Sequence, residues 1–246
     1  MNKKRILILS DNTFLCKALS SIINELDISN YRFDYSISSG SKKEDFFPIK
    51  VSTINLRSST EVEEIIKNYN MVLSIHCKQM FPKNLVEEIR CVNVHPGYNP
   101  LNRGWFPQVF AIANNLSVGA TIHEIDVELD HGRIIAREFV EKYSYDTSLT
   151  LYNRILETEI KLLKRHLIPV LENSYTSFVP ESEGNLFLKK DFSELCKINL
   201  DEKTSYRGCI NRLRSLSHGD FLNAHFIDEQ TGEKIYVKLD LFKTCN

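Results

Sequence analysis

Residues 91–108 read CVNVHPGYNPLNRGWFPQ, and this stretch decides how the chain is put together. A short apolar run enters it. Asn93 and His95 are two apart, so on an extended strand they project from one face. Pro96-Gly97, Asn99-Pro100, Asn102 and Arg103-Gly104 follow, which is turn chemistry. Trp105, the only tryptophan, comes next with Phe106 and Pro107. Polar groups at the end of a buried strand, then a long loop rich in Gly, Pro, Asn and aromatics, describe a site rather than a core.

Outward from this loop the chain alternates. Residues 5–9 form a leucine and β-branched run, the pattern of a parallel strand covered on both faces. Ser10-Asp11-Asn12-Thr13 is a cap-rich turn before a helical spacing at 14, 15, 18, 19, 22 and 23. Its N-terminus is either a plain cap or an anion site. Residues 31–37, 51–56, 71–75 and 92–94 read as further strands. Helices are expected at 62–69 and 85–89. Strands alternating with helices predict a Rossmann-like α/β fold with a mostly parallel sheet, and ligands gather at the carboxyl ends of such strands. The strand before His76-Cys77-Lys78 and the strand before His95 both deliver polar residues there. No GxGxxG or GKS occurs, so no dinucleotide or P-loop fingerprint is present.

Beyond the loop, a helix is expected over 106–113, a strand at 119–123, a polar loop at 124–132 and a strand at 134–140. Asp146-Thr147-Ser148 caps a strongly periodic helix that is expected to end near Pro169. Residues 175–185 read as a linker. The expected domains are therefore 1–180 and a C-terminal appendage, 181–246, with a helix over 205–216 and a β-hairpin around 229–233.

Bulk properties exclude several classes. The 31 Lys+Arg and 32 Asp+Glu balance to a net charge of -1, against a nucleic-acid coat or a polybasic membrane binder. Cysteines at 16, 77, 91, 196, 209 and 245 show no paired spacing, so reduced thiols and a cytoplasmic location are expected. The N-terminal charges and apolar run resemble a signal peptide, but the run is short and meets Ser10-Asp11-Asn12, which suits a first strand. No stretch approaches the roughly 20 apolar residues of a membrane span. His123 and His131 flank Asp126 and Asp130 without HExxH or Cys/His spacing, so no metal is expected.

Asn93, His95 and Asp130 form a set that suits transfer of an acyl-level carbon to an amine. The amine must lose a proton as it attacks, and the oxyanion of the tetrahedral intermediate needs donors. An imidazole serves either role, an asparagine amide suits the oxyanion, and a carboxylate orients the imidazole. No nucleophile elbow is present, so direct transfer is the simpler chemistry. By spacing alone, the set also reads as a core histidine and a turn aspartate.

These residues resemble the formyltransferases that use 10-formyltetrahydrofolate. The matching elements are Asn93-Val94-His95-Pro96, Gly119-Ala120-Thr121-Ile122-His123 and Glu128-Leu129-Asp130-His131-Gly132, in order. The likeness covers roughly residues 1–180. It implies a catalytic Asn93, His95 and Asp130 and a substrate-pocket His123. The segment HPGYNPLNRGWFPQ is similar to the sugar-nucleotide branch, whereas the tRNA and purine enzymes carry Ser-Leu-Leu-Pro there. The tail around Arg212–Phe226 is also similar to that branch and implies a dimer contact.

The implied substrate is a dTDP-amino-dideoxyhexose, dTDP-4-amino-4,6-dideoxyglucose first, for O-antigen-type sugars. Other acceptors are a dTDP-3-amino sugar, a UDP-amino-sugar or glycinamide ribonucleotide; a silent sugar-nucleotide binding module is the non-enzymatic alternative. Lys78 and Arg103 would then meet the pyrophosphate. Tyr98 and Trp105, with Phe106, would stack on the base or wall the hexose. Asn99 and Asn102 would bond sugar hydroxyls or simply make turns. Folate would lie along Met80, Phe81 and Pro82 and along Ile125, Val127 and Leu129. A homodimer is implied, with neither nucleic acid nor membrane as a partner.

Overall fold

The computed structural model describes residues 3–26 and 28–244, which leaves Cys245 outside the described residues. Strand β1 (Lys4–Ser10) is buried over its last five residues. Its side chains alternate between two cores. Ile6 and Ile8 face a cluster holding Leu15 and Leu19 of α1 (Thr13–Glu25), while Leu7 and Leu9 face one holding Val62 and Ile65 of α2 (Ser59–Asn68). The period-2 pleat thus sandwiches the sheet between helical layers.

The remaining central strands are β2 (Tyr31–Ser38), β3 (Val51–Ile54), β4 (Met71–Ile75) and β5 (Arg90–His95). Helix α3 (Lys83–Glu88) precedes β5. A short strand β6 (Arg103–Gly104) and helix α4 (Pro107–Ala113) follow. Then come β7 (Val118–Glu124) and β8 (Ile134–Val140). The sheet order is β3-β2-β1-β4-β5-β7-β8, parallel through β5 and antiparallel at β7 and β8. The order reverses between β1 and β4, so a crevice opens beyond their carboxyl ends.

Helix α5 (Ser148–Glu172) packs on the same face as α1. It runs one turn past the expected end at Pro169. Pro169 lacks the N–H for one helical bond, yet the last turn is closed by the Ser174 N–H on the Pro169 carbonyl at 3.0 Å and by the Arg90 guanidinium on the Val170 carbonyl at 2.6 Å. The expected linker is strapped down. Phe178 bridges Ile134, and β9 (Leu186–Phe187) pairs with β6. Helix α6 (Lys189–Cys196) is not foreshadowed by the sequence, because Phe192, Leu195 and Cys196 are too few to set a period.

Helix α7 (Tyr206–Leu216) and a hairpin of β10 (His225–Ile227) and β11 (Lys234–Tyr236) complete the described chain. Leu216, Cys196 and Ala224 bury against Val109 of α4. The appendage therefore shares a core with the element that follows the central loop. Among the described residues no helix is long and apolar enough to cross a membrane.

Candidate active site

Asn93 and His95 leave β5 on one face, as their spacing requires. Asp130 reaches them from the loop after β7, at φ 49°. Its Oδ1 accepts from Asn93 Nδ2 at 3.1 Å, and its Oδ2 accepts from the Gly104 N–H at 3.0 Å and lies 3.4 Å from His95 Nδ1. The three side chains, far apart in sequence, form one connected group.

The backbone dictates where the His95 proton sits. Its Nε2 lies 2.7 Å from the Asn102 carbonyl, an acceptor, so Nε2 carries the hydrogen. Nδ1 is then the free lone pair in the neutral ring, facing Asp130. Burial pushes the His95 pKa below its ordinary value, against the pull of Asp130. Burial alone would raise Asp130, but the His95 and His123 rings beside it and the Gly104 N–H outweigh it and hold the carboxyl well below the usual range. The pair is a neutral base beside a carboxylate.

Asn93 is also fixed. Its Nδ2 donates to Asp130 and to His123 Nε2 at 3.2 Å, leaving Oδ1 buried without a partner. His123 in turn gives its Nδ1 hydrogen to the Glu124 carbonyl at 2.7 Å. Both amide hydrogens are thus engaged, and the spare atom is an acceptor.

A cavity of about 600 Å³ opens beside this group. Asn93, His95, Asp130, Lys78, Met80, Trp105 and Leu129 line it. A smaller pocket adjoins it, sharing Asn93, Asp130, Met80 and Leu129 and adding Phe81, Ile125 and His123.

Several expected contacts do not reach the main cavity. Arg103 is buried and its Nη1 meets Glu183 at 3.1 Å, because the β6–β9 pairing turns it toward the strap. Tyr98 stacks on Phe139 at 3.6 Å beneath Arg137. Asn99 donates to the Asp130 carbonyl at 2.9 Å, and the Asn102 amide oxygen accepts the Tyr98 N–H at 3.1 Å. Both asparagines shape the loop. His123 stands behind Asn93, in the smaller pocket. Pro82 sits at the N-cap of α3, and Val127 is exposed; neither lines either pocket.

Other lining residues were missed. Phe192, His218, Phe221 and Asn223 come from the appendage. His76 and Tyr152 also line the cavity, and His76 Nε2 lies 2.8 Å from Glu159 Oε1. One signal was available: Ser148, Tyr152 and Glu159 recur at i, i+4 and i+11 within an apolar helical stripe.

A family profile described as formyl transferase matches residues 41–167, just over half of the chain. The chain belongs to this formyl transferase family. A profile described as N-formyltransferase dimerization C-terminal domain matches residues 191–243 of the same formyltransferase. It is 49% identical to a dTDP-4-amino-4,6-dideoxyglucose formyltransferase of Mycobacterium tuberculosis over 180 residues, 73% of this chain and 76% of the relative. A sugar N-formyltransferase structure from a Shewanella species superposes with TM-score 0.94 at 40% identity, covering 98% of this chain and 99% of that one. A 4-N formyltransferase from Francisella tularensis gives TM-score 0.92 at 36% identity, covering 99% and 100%. Within the family the chain groups with the sugar N-formyltransferases and is an enzyme of that kind.

Proposed function

We propose that the protein moves a formyl group from 10-formyltetrahydrofolate to the amine of a dTDP-amino-dideoxyhexose, dTDP-4-amino-4,6-dideoxyglucose before others. One observation carries the catalytic part: the His95 ring, its Nε2 against the Asn102 carbonyl, lies with Nδ1 3.4 Å from the Asp130 carboxylate at the edge of a large cavity. The choice of sugar is supported by the 49% identical relative of that specificity and by the likeness to a 4-N formyltransferase.

The amine attacks the formyl carbon, the new C–N bond forms as the bond from that carbon to N10 of the folate breaks, and the proton the amine loses ends on N10 of the departing tetrahydrofolate by way of His95. His95 Nδ1 takes that proton, and the imidazolium formed is held between Asp130 Oδ2 and the Asn102 carbonyl. Asn93 is the donor to the developing oxyanion, releasing the longer of its two bonds, the 3.2 Å one to His123. The unpartnered buried Asn93 Oδ1 and the paired pockets sharing Asn93 and Asp130 suit two ligands meeting there. Folate occupies the smaller pocket at Met80, Phe81, Ile125 and Leu129.

Lys78 is the one Lys or Arg lining the main cavity among the described residues, so it meets the pyrophosphate. Trp105, under the Lys189 ammonium at 3.9 Å, offers a flat face to base or sugar. The protein works in the cytoplasm as a homodimer joined through its appendage.

A coupled assay of 10-formyltetrahydrofolate consumption across dTDP- and UDP-amino-sugars tests this. Turnover with dTDP-4-amino-4,6-dideoxyglucose is expected. Formylation of glycinamide ribonucleotide alone would remove the sugar assignment. Absence of turnover with every amine, with sugar-nucleotide binding retained, would make the protein a binding module.

A further inference from the structure

A second histidine leaves the sheet beside the first. In the β4–β5 register Ile75 pairs with Val94, so His76 and His95 leave adjacent strands together, about 4.8 Å apart at the backbone. His76 takes φ 55°, a left-handed conformation that His and Asn adopt more readily than most residues. Behind it lies Glu159, wholly buried on α5, with both oxygens 2.8 and 3.0 Å from His76 Nε2.

The tautomer follows from Asn12. Its Oδ1 is committed to capping α1 through the Leu15 N–H, so its Nδ2 is the atom facing His76 Nδ1 at 3.3 Å and Tyr152 Oη at 3.0 Å. A ring nitrogen facing an amide donor is the unprotonated one. The proton therefore sits on Nε2, against Glu159. Tyr152 Oη lies 3.2 Å from His76 Nδ1 and is held from two sides. Burial, and then the Glu159 charge, push the phenol above its ordinary pKa, so it stays a hydroxyl.

Asn12 follows β1 and His76 follows β4, the two strands between which the sheet order reverses. This is the crevice where open α/β sheets receive ligands. His76 and Tyr152 line the same cavity as His95. A buried carboxylate at this wall disfavours a phosphate. A fixed phenol that accepts from Asn12 Nδ2 and gives its hydrogen to His76 Nδ1 keeps a lone pair for the cavity, which suits a hydroxyl that donates.

We propose that Asn12, His76 and Glu159 hold the Tyr152 hydroxyl against a ring hydroxyl of the hexose, so that Tyr152 helps select the sugar. Tyr152 is the contact; the other three position it. The inference rests on the amino-sugar reading above. One strand spacing separates the two histidines, so a single hexose can bring its amine to His95 and a hydroxyl to Tyr152.

The test is steady-state kinetics with dTDP-4-amino-4,6-dideoxyglucose, plus calorimetric binding of dTDP, on the full chain and on Y152F and H76N. The expected result is KM for the sugar nucleotide raised three- to tenfold, the range of one hydrogen bond. kcat should stay within about threefold on the same ground, and dTDP affinity and the KM for 10-formyltetrahydrofolate should not change. An unchanged KM overturns the proposal. So does a parallel loss of dTDP affinity, which would give Tyr152 to the nucleotide, or a fall in kcat alone. If Y152F does not fold, H76N carries the comparison, since Asn accepts the left-handed backbone. Wild-type turnover with another amine and none with the amino-sugar removes the sugar reading itself, and this inference with it.

Discussion

Gly97 has no side chain because there is no room for one. A Cβ there would stand 2.5 Å from the Asn102 carbonyl oxygen and 2.6 Å from His95 Nε2, the two ends of the bond that fixes the ring. Gly97→Ala is expected to cost about 1–3 kcal/mol of stability through overpacking. It should also lower kcat at least about tenfold, the cost of a misplaced base. Thermal melts and kinetics read both. Protonation is the second handle. Burial holds His95 below 6.5, so kcat/KM should be flat from neutral pH down past 6.5 and fall with a midpoint below it. The stability sign is the same: burial of the neutral ring contributes fully above the unfolded pKa and is lost as pH falls through the folded one. A midpoint above 6.5 would contradict the neutral tautomer. His95→Asn should remove about 10²–10⁴ in kcat, with sugar-nucleotide affinity measured separately and retained. At this scale the common face of Asn93 and His95 was legible, since a two-residue spacing on a strand fixes it, whereas Asp130 was tied to them by the family resemblance. Arg103, Tyr98, Asn99 and Asn102 stand outside the lining of the main cavity, which was not legible, because a loop sequence names its side chains without saying which way each one turns.

The elements divide by periodicity. The five parallel strands and α1, α2 and α5 were readable from runs and spacings, and the sheet edge carrying the site followed from the strand–helix alternation. The two-residue pairing of β6 with β9 and the eight-residue α6 were not, for no period fits in so few residues. Helix α7 was expected, but its attachment was not. Arg214 is buried and its Nη1 donates to the Tyr143 carbonyl at 3.0 Å and the Asp146 carbonyl at 2.8 Å, pinning α7 to the start of α5. Arg214→Ala leaves the Asp146 carbonyl unpaired and the Tyr143 carbonyl with only the Asp146 N–H, and is expected to cost about 2–4 kcal/mol. For a chain of this size that is roughly a 5–10 °C fall in Tm. Because His218 lies just beyond α7, the same substitution should raise KM for the sugar nucleotide more than KM for the folate. Equal melting curves for variant and wild type would dismiss the pin.

For the molecule entire, composition foretold a globular chain and the alternation of strands and helices an α/β one; of the two family profiles that match, one is described as formyl transferase and the other as a dimerization C-terminal domain. The appendage leaves Tyr206 and Phe242 each 91% exposed, with Ile235 and Tyr236 also open on the hairpin. Large apolar side chains so placed suit a second copy of the chain. Tyr206→Glu with Phe242→Glu is expected to turn a dimer into a monomer, read by size-exclusion chromatography with light scattering. A monomeric wild type would refute the dimer. What no periodicity could announce is that the tail also reaches inward, since cavity walls are made by tertiary folding.

Phe192, His218, Phe221 and Asn223 stand around the same space as His95, yet all are encoded after residue 188. Recombining the front of one such enzyme with the end of another would not give a neutral chimaera. The graft would import a share of the mould in which the acceptor is cast, and the preferred sugar would follow both parents rather than the one that supplied the chemistry.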